Sequence, residues 1–199
     1  MLKSISRRVL TLLGWRLEQR LPDTKKYLVI GAFHTSNWDL PLGLLGLWAL
    51  GLKPRWVAKH TLFRWPLGPV LKAIGGIPVD RRVHTGFIDK IAAAYDVCDE
   101  LVVTIAPEGT RSKTLYWKTG FYYIALAAKV PIALAFIDYP NKRLGIGGTF
   151  YPCGDIESDM AIIRDFYSDK TGLRPENQGK IQLKQRPLSR TENLVKRTR

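Results

Sequence analysis

The chain has 199 residues, of which 46% are hydrophobic and 24% charged, and 31 Lys and Arg against 17 Asp and Glu give a formal net charge of +14. This length fits a single domain, and the balanced composition excludes collagen-like, coiled-coil and wholly disordered proteins. The only two cysteines, Cys98 and Cys153, exclude a disulfide framework and a Cys-x-x-Cys metal pair.

Residues 1–26 begin with a predicted basic amphipathic helix that ends near Gly14. On a helical projection its apolar residues fall within one arc of about 100°, formed by Leu2, Ile5, Val9, Leu12 and Leu13. Lys3 and Arg7 lie on the opposite side. The pattern is typical of a helix that lies in a membrane interface, and the alternative is a helix that packs on the domain. Arginines interrupt the apolar stretch and no small-residue cleavage site follows, which argues against a signal peptide.

Residues 27–172 alternate between short apolar runs and helical patterns. The runs predict buried strands at 27–32, 55–59, 77–79, 101–106 and 132–137, and an edge strand or loop at 144–151. Helical patterns occupy 40–52, 71–74, 89–99, 120–129 and 160–167. Such alternation predicts one α/β domain with a mostly parallel or mixed central sheet flanked by helices.

No helix long enough to span a membrane is predicted. The longest uncharged run, Leu40 to Leu52, would cover roughly 20 Å as a helix, against a hydrocarbon core of about 30 Å.

Residues 173–199 form a predicted basic tail, which we expect to be mobile from about Pro187. The net charge is +5 over residues 1–26, +2 over residues 27–169 and +7 over residues 170–199. The two ends are therefore predicted to meet a negatively charged partner. An anionic membrane, an acidic protein and a nucleic acid all remain open on charge alone.

Two polar clusters directly follow predicted strands, where ligand sites of open α/β sheets tend to lie. In the first, His34 can act as a general base, and Asp39 can bond one ring nitrogen across a tight turn. The alternative is a polar loop residue followed by a helix cap. The second cluster runs from Pro107 to Ser112, where Gly109 allows close backbone approach and Arg111 suits a phosphate. Its alternative is an exposed turn.

Together these clusters resemble the glycerolipid acyltransferase family, typified by 1-acylglycerol-3-phosphate acyltransferase. The resemblance rests on His-x4-Asp at 34–39 and on Glu-Gly-Thr-Arg at 108–111. The blocks Gly-Ile-Pro-Val-Asp-Arg at 76–81 and Val-Pro-Ile at 130–132 agree with it. Phe33 stands where the family's first block often has asparagine.

The resemblance implies direct acyl transfer from a thioester to a lipid hydroxyl. His34 would take the hydroxyl proton and Asp39 would orient His34. Arg111 and Arg81 are the expected ligands of the acceptor's phosphate, while Lys59 is either a third such ligand or a solvated lysine.

The remaining residues of the second cluster have expected roles in the same site. Glu108 is expected to orient Arg111 or to bind an acceptor hydroxyl, and Gly109 and Thr110 are expected to shape the backbone. The aromatic residues that follow either line an acyl groove or belong to the core; they are Trp117, Phe121, Tyr122 and Tyr123.

The resemblance also implies the partners of the reaction. The acyl donor would be acyl-CoA or acyl carrier protein, with no metal or other cofactor. The acceptor would be 1-acylglycerol-3-phosphate, giving phosphatidic acid, or another lyso-lipid such as a lyso-aminolipid. We expect a peripheral enzyme on the cytoplasmic side of the cell membrane. The rival interpretation is a basic nucleic-acid-binding protein. Against it, the sequence shows no recognition helix and no zinc-binding pattern.

Overall fold

The computed structural model describes residues 1–80 and 86–184. Over these residues seven strands form one sheet in the order β1-β7-β6-β2-β5-β3-β4. The strands are β1 (Arg16–Gln19), β2 (Lys26–Ala32), β3 (Arg55–Lys59), β4 (Gly76–Val79), β5 (Leu101–Ile105), β6 (Ile132–Asp138) and β7 (Arg143–Phe150). Neighbouring strands are parallel except for the antiparallel pair of β6 and β7. The predicted mixed, mostly parallel sheet of one α/β domain is therefore confirmed.

Helices cover both faces of the sheet. They are α1 (Leu2–Leu12), α2 (Asp39–Ala49), α3 (Leu67–Ala73), α4 (Phe87–Val97), α5 (Gly120–Ala128) and α6 (Ile156–Tyr167), with short 3₁₀ turns at His60–Phe63 and Pro175–Asn177. The connections β2-α2-β3 and β3-α3-β4 run towards one edge, and β4-α4-β5 and β5-α5-β6 run back. Because such crossovers are right-handed, α2 and α3 lie on one face and α4 and α5 on the other.

The alternation of side chains along β2 divides the core in the same way. Leu28 and Ile30 pack with residues of α4, α5 and α6, whereas Tyr27 and Val29 pack with Leu47 of α2. Successive side chains of a strand point to opposite faces, so a strand buried on both faces reads as the continuous apolar run that the sequence shows at 27–32.

At the N-terminus, the predicted amphipathic helix is present as α1 and packs on α2 through Ser6 and Leu10. Arg7 donates from Nε to the carbonyl oxygen of Ala49 at 2.8 Å. The predicted apolar arc faces away from this contact and is exposed at Leu2, Ile5, Leu12 and Leu13. The following segment contains strand β1, which the sequence analysis did not predict and which pairs in parallel with β7.

The strand β7 differs from the prediction of an edge strand or loop. It lies inside the sheet between β1 and β6. Gly145 has φ +138°, and a Cβ there would lie 2.1 Å from the carbonyl oxygen of Glu18. Gly145 thus allows the close approach of β1. Strand edges elsewhere agree with the prediction to within a residue or so, but α3 begins at Leu67, four residues before the helix predicted at 71–74.

Towards the C-terminus, residues 173–184 pack on the domain. The amide of Trp117 donates to the carbonyl oxygen of Gln182 at 2.9 Å, and the side chain of Gln182 donates to the carbonyl oxygen of Leu115 at 2.9 Å. The predicted mobile segment from Pro187 lies outside the described residues. Within the described ranges, no helix combines the length and the apolar character needed to cross a membrane.

Candidate active site

The site lies where the connectivity of the sheet reverses. β2 and β5 are neighbours, yet the chain leaves β2 over one face through α2 and leaves β5 over the other face through α5. Loops that diverge from adjacent parallel strands leave a crevice at the carboxyl ends of these strands, where ligands bind in open α/β sheets. The loop after β2 carries His34 and the loop after β5 carries Glu108, so the fold brings the two predicted clusters together.

His34 and Asp39 are in contact. Nδ1 of the histidine lies 3.2 Å from Oδ2 of the carboxylate, and the histidine side chain is 26% exposed while that of Asp39 is 6% exposed. The contact through Nδ1 leaves Nε2 for a substrate proton. An acid that binds one ring nitrogen fixes the tautomer and stabilises the imidazolium once the other nitrogen is protonated.

The carboxylate of Asp39 is held by four donors. Oδ2 accepts the amides of Thr35 at 2.7 Å and Ser36 at 2.8 Å, and Oδ1 accepts the hydroxyl of Tyr139 at 2.7 Å. Burial alone would raise the pKa of Asp39, but the hydrogen bonds from His34, Ser36 and Tyr139 outweigh it and lower the pKa. Asp39 is therefore ionised and rigid at neutral pH.

Tyr139 is a site residue that the sequence analysis missed. Burial, and then its hydrogen bond to Asp39, raise the pKa of the phenol, so the hydroxyl remains a donor. It follows β6, a hundred residues after Asp39. Only the pairing of β6 with β2 brings it to the site, and no local pattern signals that contact.

Glu108 is 6% exposed and lies behind His34. Its Oε1 accepts the backbone amide of His34 at 3.0 Å, so its observed partner is His34 and not Arg111. Glu108 is also absent from the lining of the two cavities described below. Burial raises its pKa to about 7, which the His34 amide opposes and the charge of Asp39 reinforces. The side chain ties the loop after β5 to the loop after β2.

The rest of the second cluster lines an open groove of about 950 Å³. Gly109 turns the chain with φ +66°, and Thr110 Oγ1 accepts the amide of Ser112 at 3.2 Å. Arg111 and Lys59 line the same groove as His34, Gly109 and Thr110. Arg81 lies outside the described residues, so its predicted role stays a prediction.

The groove is also lined by basic residues that the sequence analysis did not assign to it. Lys118 precedes α5, and Lys184 is brought to the groove by the packing of residues 179–184 on the loop at 114–117. The described lining residues of the groove thus include four Lys or Arg residues and a single acidic residue, Asp80. A groove of this composition suits a negatively charged ligand.

A second cavity, of about 400 Å³, opens at the same place and runs between α2 and the sheet. It shares His34 and Arg111 with the groove, and Asn37 and Asp39 also border it. Its other walls are mainly apolar and come from both helices and sheet, including Leu40, Gly43, Leu44, Leu47, Trp56, Leu67, Leu71 and Ile137. Its size lies within the range of small-molecule sites, about 300–1,000 Å³.

Most of the aromatic residues after the second cluster belong to the core. Trp117, Phe121 and Tyr122 are buried in the core, whereas Tyr123 is partly exposed. Trp117, Phe121 and Tyr123 also line the groove. The apolar cavity beneath α2 lies on the other face of the sheet and is a better fit to a long aliphatic chain.

Comparison with known proteins agrees with this geometry. A family model described as Acyltransferase matches residues 15–136, which is more than half of the chain. Among solved structures, the chain is similar to the crystal structure of the 1-acyl-sn-glycerophosphate (LPA) acyltransferase PlsC from Thermotoga maritima. The TM-score is 0.57 at 21% identity, covering 84% of this chain and 74% of that one. No curated protein matches the sequence.

At this identity the structural likeness establishes the fold, while the family match spans both polar clusters and the strands that carry them. The chain therefore belongs to the acyltransferase family and is an acyltransferase.

Proposed function

We propose that the enzyme transfers a fatty acyl group from a thioester, acyl-CoA or acyl carrier protein, to the free hydroxyl of 1-acylglycerol-3-phosphate, giving phosphatidic acid. The observation that carries the proposal is the position of the His34–Asp39 pair. It stands at the junction of an apolar cavity and a cationic groove. The acceptor 1-acylglycerol-3-phosphate has an apolar acyl chain and an anionic phosphate, and its reacting hydroxyl lies between these two groups.

In the proposed reaction His34 Nε2 takes the proton of the acceptor hydroxyl as its oxygen attacks the thioester carbonyl. A C–O bond forms, and the tetrahedral intermediate then breaks its C–S bond. His34 returns the proton to the departing sulfur, which leaves as a thiol. The ionised Asp39 stabilises the imidazolium between the two steps. A general base of this kind typically contributes about 10²–10⁴-fold to the rate.

The groove supplies the binding site for the acceptor's phosphate. Arg111 offers a planar fork of donors matched to phosphate oxygens, and Lys59 adds a point charge from the end of β3. The cavity beneath α2 supports the assignment of an acyl-chain site, because its mainly apolar walls end beside His34.

We further propose that α1 holds the enzyme at an anionic membrane surface on the cytoplasmic side. Its apolar arc is exposed while Leu10 is buried against the domain, so the arc is available for lipid. A basic residue near an anionic leaflet contributes about 1 kcal/mol, and residues 1–26 carry a net charge of +5.

A panel of acceptors and donors tests the proposed reaction. The purified chain is incubated with 1-acylglycerol-3-phosphate, other lysophospholipids or a lyso-aminolipid, each with radiolabelled acyl-CoA or acyl carrier protein. We expect a labelled diacyl product, with 1-acylglycerol-3-phosphate giving the highest kcat/KM, and Arg111→Ala raising KM for this acceptor. A product formed equally well from an acceptor without phosphate would contradict the proposed acceptor.

A further inference from the structure

A second apolar surface lies near the mouth of the cavity, on the segment 62–72 that joins β3 to β4 through α3. We call it the α3 surface. Its exposed apolar side chains are Leu62, Trp65, Pro66, Leu67, Pro69 and Val70. Trp65 is 87% exposed and Val70 58% exposed. Side chains of this size are rarely exposed as a group unless they meet a partner.

The segment is anchored on its inner side by two close contacts. Phe63 stacks on Trp56 of β3, with ring centroids 5.9 Å apart and planes 27° apart. Gly68 is buried, and a Cβ there would lie 2.1 Å from the carbonyl oxygen of Phe63. Phe63 and Gly68 thus anchor the inner side of the segment, while Trp65 and Val70 stay exposed on its outer side.

The charged residues within the segment that carries the α3 surface are of one sign. Between Asp39 and Asp80 the sequence has five Lys and Arg residues and no Asp or Glu. Two of them, Arg64 and Lys72, lie within the segment and are exposed. Apolar side chains interleaved with cations complement an anionic lipid surface, where the former enter the acyl region and the latter meet headgroups.

The α3 surface is continuous with the cavity beneath α2. Leu62, Leu67 and Leu71 line that cavity, and Leu62 and Leu67 are also exposed on the outside. A single wall of the protein thus faces the cavity on one side and the surroundings on the other. This arrangement suits a ligand that reaches the cavity from an apolar phase.

We propose that the α3 surface is a second membrane-contacting site, distinct from α1, at which the enzyme enters the headgroup region of an anionic bilayer and takes up an acyl chain into its cavity. The inference rests on the proposed function only for the identity of that chain. Contact with lipid through Trp65 and Val70 is a separate claim and is tested separately.

The test compares the wild type with the double variant Trp65→Ala/Val70→Ser in co-sedimentation with vesicles of phosphatidylcholine and phosphatidylglycerol. Both residues are exposed and neither lines the cavity, so folding and the site are expected to be unaffected. We expect the partition coefficient to fall by about tenfold or more, as for the loss of two buried apolar groups. The matched control is Val97→Ser, since Val97 is 85% exposed on α4, on the opposite face of the sheet.

Quenching by lipids brominated on their acyl chains gives the depth of the contact. The wild type should lose more tryptophan fluorescence than Trp65→Phe, and the difference reports Trp65. Equal quenching, equal binding of the double variant, or an equal loss in Val97→Ser would overturn the proposal. The proposal would also be overturned if the wild type were a dimer in the absence of lipid and the double variant a monomer. The α3 surface would then be an interface with a second copy of the chain.

Activity assays separate this proposal from the proposed function. With a short-chain acceptor below its critical micelle concentration, the double variant should keep the wild-type kcat/KM. With the same acceptor class embedded in vesicles, its activity should fall in step with binding. A wild type that acylates no lysolipid refutes the proposed function, while the sedimentation and quenching results still decide the α3 surface.

Discussion

Glu108 is a buried carboxyl group that supports the loop after β2 through a backbone hydrogen bond. It accepts the amide of His34, and its other oxygen, Oε2, is buried with no partner among the described residues. Burial raises its pKa from 4.5 to about 7, so near neutrality the group is close to half protonated. Its observed contact fixes the backbone from which His34, the proposed general base, projects.

We predict that Glu108→Gln changes the pH dependence of stability. Between pH 4.5 and about 7 the folded wild type keeps a proton that the unfolded chain has lost, so this group makes stability fall as pH rises. Glutamine does not titrate. The free energy of unfolding of the wild type relative to Glu108→Gln should therefore fall by about 3 kcal/mol from pH 4 to pH 8. Urea denaturation across this range measures it, and a constant difference would contradict the raised pKa.

The sequence was sufficient to predict which residues form the pair but not what holds them. His34 and Asp39 are five residues apart, so a turn places them together and the prediction needed only local reasoning. Tyr139 reaches Asp39 from a different strand, and Glu108 reaches the amide of His34 rather than Arg111. Such contacts depend on how strands pair and which side chains are buried, and neither is written in a local pattern.

At the scale of elements, the site depends on how α2 lies over the sheet. Gly43 and Gly46 lie on the face of α2 that lines the cavity. A Cβ at Gly46 would lie 2.4 Å from Cδ1 of Leu144, whereas one at Gly43 would lie 3.9 Å from Cδ1 of Ile137. The helix thus packs closely at Gly46, while at Gly43 a Cβ would make only an ordinary van der Waals contact.

Gly43 therefore offers a way to shorten the proposed acyl-chain site without disturbing the fold. We predict that Gly43→Leu fills part of the cavity and lowers kcat/KM for long-chain acceptors relative to short-chain ones by about tenfold or more, since each methylene excluded from an apolar pocket is worth about 1–3 kcal/mol. Assays over a series of acyl chain lengths measure the shift. Gly43→Ala is the matched control and should change the profile little, and an unchanged profile in Gly43→Leu would place the chain elsewhere.

The strands with continuous hydrophobic runs were predicted correctly. The prediction failed where a strand depends on pairing with another strand that is distant in the sequence. β2, β5 and β6 are apolar on both faces and were recognised directly. β1 has the sequence Arg-Leu-Glu-Gln, which shows no strand pattern. It is a strand because it pairs in parallel with β7. The sequence of β7 predicted an edge strand or a loop, whereas Gly145 allows β1 to pair with it and places it inside the sheet.

For the whole molecule, the distribution of charge is more informative than the total. The surplus at the two ends of the chain was visible in the sequence. A further concentration lies between Asp39 and Asp80 and is hidden in the near-neutral average of residues 27–169. In the structure α1 packs on α2, and α3 borders the cavity beneath α2. Both proposed lipid contacts thus belong to the layer of helices on one face of the sheet.

We predict that binding to vesicles combines an electrostatic and an apolar contribution. Raising NaCl should weaken binding to phosphatidylglycerol-containing vesicles, because salt screens the attraction of the cations. Leu12→Ser, at an exposed position of α1, should lower the affinity at every salt concentration. Co-sedimentation over a salt series measures both effects. Binding that is independent of salt and of Leu12 would contradict a membrane contact through α1.

The central claim is that His34, oriented by Asp39, takes the proton in acyl transfer. The most direct measurement is kcat for acylation of 1-acylglycerol-3-phosphate by His34→Ala beside His60→Ala, with circular dichroism to verify folding. His60 is a matched control, because its Nδ1 lies 3.9 Å from Oδ1 of Asp80 in a second histidine–aspartate pair. We predict that kcat falls by about 10²–10⁴-fold in His34→Ala and stays near the wild-type value in His60→Ala. A folded His34→Ala with wild-type kcat would contradict the account.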